Sequence, residues 1–179
     1  MKKLTLALSI VFLVACSLSC FAKKTAVKGV KHVVLIGLDG WGAYSVPKAN
    51  MPNVKSLMEQ GAYTLESRTI LPSSSAPNWA SMFMGVGPEL HGYTTWGSRT
   101  PEIPSRVLNK HGIFPTVFQV VRDAKPEAEI GVFSEWGGIK YLIDTLAVSV
   151  YKNTPDYNKY PTALCEEAVK YVKEKRPVL

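Results

Sequence analysis

Apolar residues along the chain fall either in short continuous runs or at helical spacing. The segment Val33–Leu38 is apolar throughout and β-branched at its front, a pattern typical of a strand buried on both faces of a parallel sheet. A helix is predicted next, opening at Met51-Pro52-Asn53 and ending at Gly61, because three apolar residues share one face: Val54, Leu57 and Met58. Ala62–Ile70 is then expected to form a second strand.

The second half of the chain continues this alternation. A helix over Asn78–Met84 is predicted to stop at Gly85, and Leu90–Pro104 has the composition of a loop. Further elements follow in order: a helix over Thr116–Ala124 facing the core through Val117, Val120 and Val121, a strand over Glu129–Ser134, a short helix over Gly138–Leu142 and a helix over Thr162–Lys175 with an apolar face of Leu164, Ala168, Tyr171 and Val172. This alternation indicates an α/β fold, with a mostly parallel sheet flanked by helices.

The last four residues, Arg176–Leu179, resemble the start of another strand. In a parallel α/β arrangement a helix normally delivers the chain into a full strand. We therefore expect the sheet to be incomplete at the C-terminus and the sequence to be the N-terminal part of a longer protein.

The first 22 residues have the three parts of a secretory signal. Two lysines precede an apolar stretch, Leu4–Val14, and small residues follow it. A core helix would show more polar positions at helical spacing than this stretch does. We therefore predict export, with residues 1–22 as the signal, residues 23–31 as a basic tether and residues 32–179 as the domain.

Two cleavage sites compete within this signal. Leu13-Val14-Ala15-Cys16 has the form of a bacterial lipobox, in which Cys16 becomes the first mature residue and its thiol carries diacylglycerol. The alternative cut follows Ala22. We favour the lipobox, which predicts a protein of the periplasm or cell envelope held on a membrane surface by a lipid anchor.

Composition and charge exclude several classes of protein. The chain has 179 residues and a formal net charge of +7, which falls to +5 without Lys2 and Lys3 (19 basic minus 14 acidic residues). The excess is spread along the chain, so it predicts no nucleic-acid-binding surface. Three irregularly spaced cysteines exclude a disulfide framework and a CxxC zinc knuckle. The length fits one domain.

Two positions have the residue types and surroundings that hydrolytic chemistry needs. Asp39 follows the predicted first strand, and ligands of open α/β sheets bind beyond the carboxyl ends of strands. Its carboxylate is suited to a metal ion, the alternative being a turn aspartate that bonds its own backbone. Ser75 lies in the loop Pro72–Asn78, just before a predicted helix N-terminus that favours anions.

A serine hydroxyl is a weak nucleophile and needs activation. The chain has no G-x-S-x-G elbow, so metal coordination is the remaining route for Ser75, with a Ser-rich helix-capping loop as the alternative. The three histidines, His32, His91 and His111, show no metal-site spacing and are expected to be structural. The four tryptophans either wall a pocket for a ring or pack in the core.

Four segments in this order and spacing resemble the nucleotide pyrophosphatase/phosphodiesterase family of the alkaline phosphatase superfamily. The resemblance runs from His32 to Tyr93, and its parts are Val33–Gly40, Met51–Leu57 with Gly61-Ala62, Leu71–Asn78 and Met84–Gly92. It implies an alkaline-phosphatase-like α/β fold and two bound zinc ions. It also implies that Asp39 is a metal ligand and that Ser75, before the x-Pro-Asn triplet, is the metal-bound nucleophile that attacks phosphorus.

The chain departs from the family pattern at two points. Trp96 stands where the family often places a phosphate-binding Asn, so we assign Trp96 to substrate binding. The family's other metal ligands lie in Asp/His motifs of the C-terminal half, and we expect them beyond Leu179, because no His stands at metal-site spacing from Asp123, Asp144 or Asp156. By itself the chain is expected to be inactive.

The sequence therefore predicts an exported, two-zinc hydrolase of phosphate esters that acts on nucleotide-like small molecules. One alternative is a surface lipoprotein with the same fold that binds a ligand without cleaving it. Another is a sulfatase-like hydrolase, although Trp79 occupies the arginine position of the formylglycine motif. The oligomeric state is left open.

Overall fold

The computed structural model describes residues 29–154 and 162–179. His32–Leu179 forms one compact unit. The predicted signal, both of its cleavage sites and Cys16 lie outside the described residues. Within the described ranges, no helix combines the length and the apolar character needed to cross a membrane.

The described chain combines helices with a small parallel sheet. Its elements are helices α1 (Pro52–Gln60), α2 (Ser75–Met84), α3 (Pro88–His91), α4 (Val117–Ala124) and α5 (Ala163–Lys175), two 3₁₀ turns (Ala43–Ser45 and Gly137–Tyr141), and strands β1 (Gly131–Ser134) and β2 (Val150–Asn153). The strands pair in parallel, with Gly131 opposite Val150 and Ser134 opposite Asn153. The prediction of an α/β fold is thus confirmed at this level, although the described sheet has two strands.

The prediction that Val33–Leu38 is a strand and is buried is wrong on both points. The segment is not part of the sheet, and its apolar side chains are 51–74% exposed. Among the described residues its backbone is held by one hydrogen bond, from the Val33 N–H to the Val178 carbonyl (2.9 Å). Its composition suits a central strand, but no described layer covers it. Ala62–Ile70, predicted as a strand, is irregular as well.

The segment Arg176–Leu179 lies alongside β1. The Val178 N–H donates to the Glu129 carbonyl (2.8 Å), and the Gly131 N–H donates to the Leu179 carbonyl (3.0 Å). The His32 ring contacts the Pro177 carbonyl through Nδ1 (2.7 Å). Arg176 itself is left-handed (φ 48°), and residues 177–179 after it are hydrogen-bonded on both sides without forming a regular strand.

The core lies between α2, α4 and the two strands. Its most deeply buried side chains are small or aliphatic residues with no exposed surface: Ala76, Ala80, Ile130, Leu142 and Ala147. The rings of Phe83 and Phe118 meet at 5.4 Å and join α2 to α4. Helix α4 therefore packs through Phe118. Val117 and Val120 are 39% and 62% exposed, so the prediction that they face the core is wrong.

Thr116 is expected to stabilise the start of α4. It is 1% exposed, and its hydroxyl oxygen accepts a hydrogen bond from the Gln119 N–H (3.4 Å). We expect Thr116→Ala to lower the free energy of unfolding by about 1 kcal/mol, because the cap is lost, as measured by urea denaturation.

Thr162 provides the matched control. It occupies the same position before α5 but makes no side-chain capping bond, so Thr162→Ala is expected to change the free energy of unfolding little. Equal losses in the two variants would contradict the capping role of Thr116.

Candidate active site

The first helical residue of α2 is Ser75. Ser74 precedes it in extended conformation as the N-cap residue, and Pro77 lies in the first turn. The helix thus begins earlier than the sequence predicted. The N–H groups of Ser75 and Ala76 have no acceptor within the helix, because the first turn of a helix has no preceding carbonyls. They and the helix dipole favour an anion beside the Ser75 hydroxyl.

Asp39 and Ser75, 36 residues apart in sequence, meet at this helix start. The Ser75 hydroxyl donates a hydrogen bond to Oδ2 of Asp39 over 2.8 Å. Asp39 is exposed and Ser75 is half-buried, so solvent and small ligands reach the pair. Gly40, which follows Asp39, has a φ of 71°, a left-handed conformation that glycine adopts without strain. The turn therefore directs the carboxylate toward α2.

Asn78 fixes the loop that leads into Ser75. Its Oδ1 accepts from the Ile70 N–H (3.1 Å) and from the Thr69 hydroxyl. Its Nδ2 donates to the carbonyls of Ser74 (2.9 Å) and Pro72 (3.3 Å). One amide thus holds both ends of the loop. Asn78 belongs to the motif around Ser75, but the sequence predicted no role for it. An Asn directly after a Pro in the first turn of a helix could have indicated that its amide binds the preceding loop.

Trp79 is a second residue whose role the sequence did not indicate. Its indole Nε1–H donates to the same Oδ2 of Asp39 over 3.2 Å. Its ring stacks on Phe83 at 5.7 Å. The sequence marks it as one of four tryptophans that wall a pocket or pack in the core, and as a departure from the sulfatase motif. Nothing in the local pattern links it to a residue 40 positions earlier.

The oxygen atoms of Asp39 and Ser75 fit as part of a divalent metal site. They lie within 2.8 Å of one another, and both are donors that zinc or a harder cation accepts. A tetrahedral zinc site needs four ligands, and the described ranges 29–154 and 162–179 contain no cluster of three or more His, Cys, Asp and Glu side chains. The two residues are therefore a partial ligand set.

Trp96 lies on a firmly held loop but contacts neither Ser75 nor Asp39. Its ring is 68% exposed and stacks on Trp136 at 6.4 Å. Glu102 ties the loop together by accepting from the Thr94 N–H (2.7 Å) and the Ser98 hydroxyl (2.5 Å). Burial acts to raise the pKa of Glu102, but the hydrogen bonds from Ser98 and Thr94 outweigh it and lower that pKa. The role of Trp96 in substrate binding stays a prediction.

A groove of about 710 Å³ runs beside α1 and α2. Its walls are mainly apolar and include Trp41, Met58, Ile70 and Met82. Asn78 borders it, whereas Asp39 and Ser75 are not part of its wall. The candidate pair Asp39–Ser75 therefore lies outside the groove, at the start of α2.

His91 is a buried structural residue, in line with the sequence-based expectation. It has no exposed surface. Its Nδ1 accepts from the Tyr93 N–H (3.1 Å), which puts the ring proton on Nε2, so Nε2 donates to the Ser81 hydroxyl (2.9 Å). Burial lowers the pKa of His91, outweighing the opposing effects of Glu89 and the Pro77 backbone.

His111 and Asp144 form a pair that the sequence analysis missed. Nδ1 of His111 lies 2.7 Å from Oδ2 of Asp144, whose side chain is 2% exposed. Nδ2 of Asn109 donates to the same oxygen (2.7 Å). The sequence shows no histidine at metal-site spacing from Asp144, and it gave no sign that His111, 33 residues earlier, would contact this carboxylate. Of the other two aspartates considered, Asp123 pairs with Lys110 (3.6 Å), and Asp156 lies outside the described residues.

We expect the burial of His91 to make the protein less stable in mild acid. Because its folded-state pKa is lowered, the unfolded chain binds a proton first as the pH falls through about 6.5. This contribution is full above that pH and is lost below it. The free energy of unfolding, measured in urea at pH 7.5 and 5.5, is expected to fall more in the wild type than in His91→Gln.

An NMR titration of the His91 ring provides the direct measurement. The expected pKa lies below the ordinary histidine value. A titration at or above that value, or equal pH dependence in the two proteins, would contradict the neutral buried state.

One of three comparisons with known proteins gives a match, and it covers the start of α2. A search among curated proteins found no match, and neither did a search among solved structures. One family model matches, over residues 33–114, and this stretch includes both Asp39 and Ser75. The match extends past Tyr93, where the motif resemblance ended. The recognition drawn from the motifs is confirmed for this N-terminal part: residues 33–114 match the type I phosphodiesterase / nucleotide pyrophosphatase family, and the match supports hydrolysis of phosphate esters or nucleotides.

Proposed function

We propose that the protein is an exported, metal-dependent hydrolase that cleaves phosphate esters of nucleotide-like small molecules, with Ser75 as its nucleophile. The observation that carries the proposal is the hydrogen bond from the Ser75 hydroxyl to Asp39 (2.8 Å) at the start of α2. This pair lies within the segment that matches the phosphodiesterase / nucleotide pyrophosphatase family.

The position of Ser75 suits attack on phosphorus. Its hydrogen bond points the hydroxyl proton at the Asp39 carboxylate, which leaves the oxygen lone pairs directed elsewhere. The unpaired N–H groups at the start of α2 favour the negative oxygens of a phosphoryl group beside that oxygen. Asn78 keeps the loop before Ser75 fixed, so the nucleophile is held in place before substrate binds.

The proposed reaction has two steps. Ser75 Oγ gives its proton to the Asp39 carboxylate and forms a bond to phosphorus while the ester P–O bond breaks. The proton then passes from Asp39 to the departing oxygen, so that an alcohol leaves and the carboxylate is restored. Water then cleaves the Ser75–phosphorus bond and regenerates the hydroxyl. Negative charge increases on the phosphoryl oxygens in both steps, which is where the helix N-terminus is most effective.

We further propose two divalent metal ions, most simply zinc, as the cofactor. Asp39 and Ser75 are the residues of the described chain that would hold one of them. A divalent cation bound there would lower the pKa of a coordinated hydroxyl and would compensate the negative charge on the leaving oxygen.

Ser75→Ala tests the nucleophile. With bis-p-nitrophenyl phosphate and the full-length protein, we expect kcat to fall by roughly 10³-fold or more, because only binding and electrostatic effects then act on the substrate. Ser73→Ala is the matched control: Ser73 lies exposed in the same loop, and its variant is expected to retain wild-type activity.

Three outcomes would count against this assignment. Activity that survives Ser75→Ala would remove Ser75 from the mechanism, and activity unaffected by a chelator would remove the metal. Binding of a nucleotide by wild-type protein without turnover would favour the lipoprotein alternative, and a preference for p-nitrophenyl sulfate would favour the sulfatase-like one.

We also propose that the protein is anchored to the cell envelope through a lipid on Cys16. The support is the sequence Leu13-Val14-Ala15-Cys16 after an apolar stretch. Cys16→Ala is expected to move the protein from the membrane fraction to the soluble fraction, as measured by sedimentation of lysed cells.

Cys20→Ala provides the control for this experiment. Cys20 lies four residues later and outside the lipobox, so its variant is expected to sediment with the membranes. Unchanged sedimentation of Cys16→Ala would contradict the anchor and favour cleavage after Ala22.

A further inference from the structure

We propose that Trp79 is a positioning residue that holds the Asp39 carboxylate against Ser75. The inference rests on the function proposed above, because it assigns Asp39 a part in the reaction. Trp79 contacts the Asp39 segment in two ways, through the N–H edge of its indole and through the outer rim of its six-membered ring.

The edge contact fixes the direction of the carboxylate. The indole Nε1–H donates to Oδ2 of Asp39 (3.2 Å), the oxygen that also accepts from the Ser75 hydroxyl (2.8 Å). Two donors on one oxygen define its position better than one does, and the hydrogen bonds among the described residues leave Oδ1 without a partner. Trp79 and Ser75 thus orient Oδ2 and leave the second oxygen for a ligand.

The second contact fixes the backbone that carries the carboxylate. A methyl group added at Gly37 would overlap Cη2 and Cζ3 of Trp79, so the outer rim of the six-membered ring abuts the Gly37 backbone. A glycine two residues before Asp39 is what allows this approach. The indole therefore holds both the chain leading to Asp39 and the carboxylate itself.

Trp79 is rigid enough to act in this way. Its ring stacks on Phe83 (5.7 Å), and Phe83 packs against Phe118 of α4 (5.4 Å). Phe83 and Phe118 are 6% and 4% exposed. The indole is thus an extension of the core that reaches the surface at Asp39.

The Asp39 segment has few other anchors in the described structure. Leu38 is 58% exposed and Asp39 is exposed as well. The backbone hydrogen bond that holds this segment lies at Val33, six residues away. Without Trp79 the carboxylate would sit on a loosely held turn, and a displacement of about 1 Å is enough to cost 10²-fold in rate.

Indole NMR signals test the contact without any assay of activity. The protein has four tryptophans, and Trp79→Phe identifies the indole N–H signal of Trp79 in ¹⁵N-labelled protein. Asp39→Ala is expected to shift that signal because the acceptor is lost, while the Trp136 signal stays in place. An unchanged chemical shift of the Trp79 indole N–H in Asp39→Ala would overturn the inference.

Trp79→Phe also tests the consequence, since it keeps a stacked ring and removes the donor. In the full-length protein we expect the affinity for Zn²⁺, measured by calorimetry, to fall about 10-fold or more, and kcat to fall with little change in KM. Gly37→Ala is expected to give the same pattern by displacing the indole, although it alters neither Trp79 nor Asp39.

Tyr171→Phe is the matched control. It also removes one aromatic hydrogen bond to a carboxylate, from the Tyr171 hydroxyl to Glu129 (2.7 Å), but at a site on α5. Its Zn²⁺ affinity and kcat are expected to equal those of the wild type. Equal values in Trp79→Phe would overturn the inference, whereas a wild-type protein that neither binds Zn²⁺ nor turns over substrate would overturn the proposed function instead.

Discussion

The candidate site depends on one hydrogen bond, between the Ser75 hydroxyl and Oδ2 of Asp39. It joins the turn after the extended segment Val33–Leu38 to the first residue of α2, two parts of the chain that share no sheet. For this bond to form, α2 has to begin at Ser75 and the turn has to be held beside it. Asn78 and Trp79, consecutive residues on α2, meet these two requirements separately.

This arrangement gives the helix start two kinds of neighbour. On its loop side the amide of Asn78 satisfies the backbone groups of Ser74 and Ile70, so the loop keeps its shape without packing. On its other side the indole of Trp79 links Asp39 to the aromatic core through Phe83. The Ser75 oxygen, the proposed nucleophile, thus lies near the surface while the groups that position it are connected to the interior, as a preorganised site requires.

Sequence patterns predicted the helices better than the strands. Helices α1, α4 and α5 were found within a few residues, because each depends on local spacing and on local start and stop signals, such as Thr116 before α4 and Gly61 after α1. Strand β2 was missed, since Val150–Asn153 is four residues long and is defined by its pairing with β1. Val33–Leu38 shows the opposite error, because its composition describes a buried strand while burial depends on what lies over it.

The same distinction applies to the site. Asp39 and Ser75 were singled out because each lies at the end of an element, which is a local property, and their motif order predicted a shared site. Trp79 and the His111–Asp144 pair were not found, because a contact across 40 or 33 residues leaves no periodic signal. Long-range contacts that position a functional side chain are therefore the part of a site that is hardest to predict from a single sequence.

The exposed ribbon Val33–Leu38 has a practical consequence. Valine and isoleucine side chains there face water at 51–74% exposure, next to peptide groups that the described chain pairs only at Val33. An exposed apolar segment with unpaired peptide groups is a template on which a second molecule can add a strand. Concentrated solutions of this polypeptide are then expected to self-associate through that segment despite the net charge of +7, which by itself would keep molecules apart.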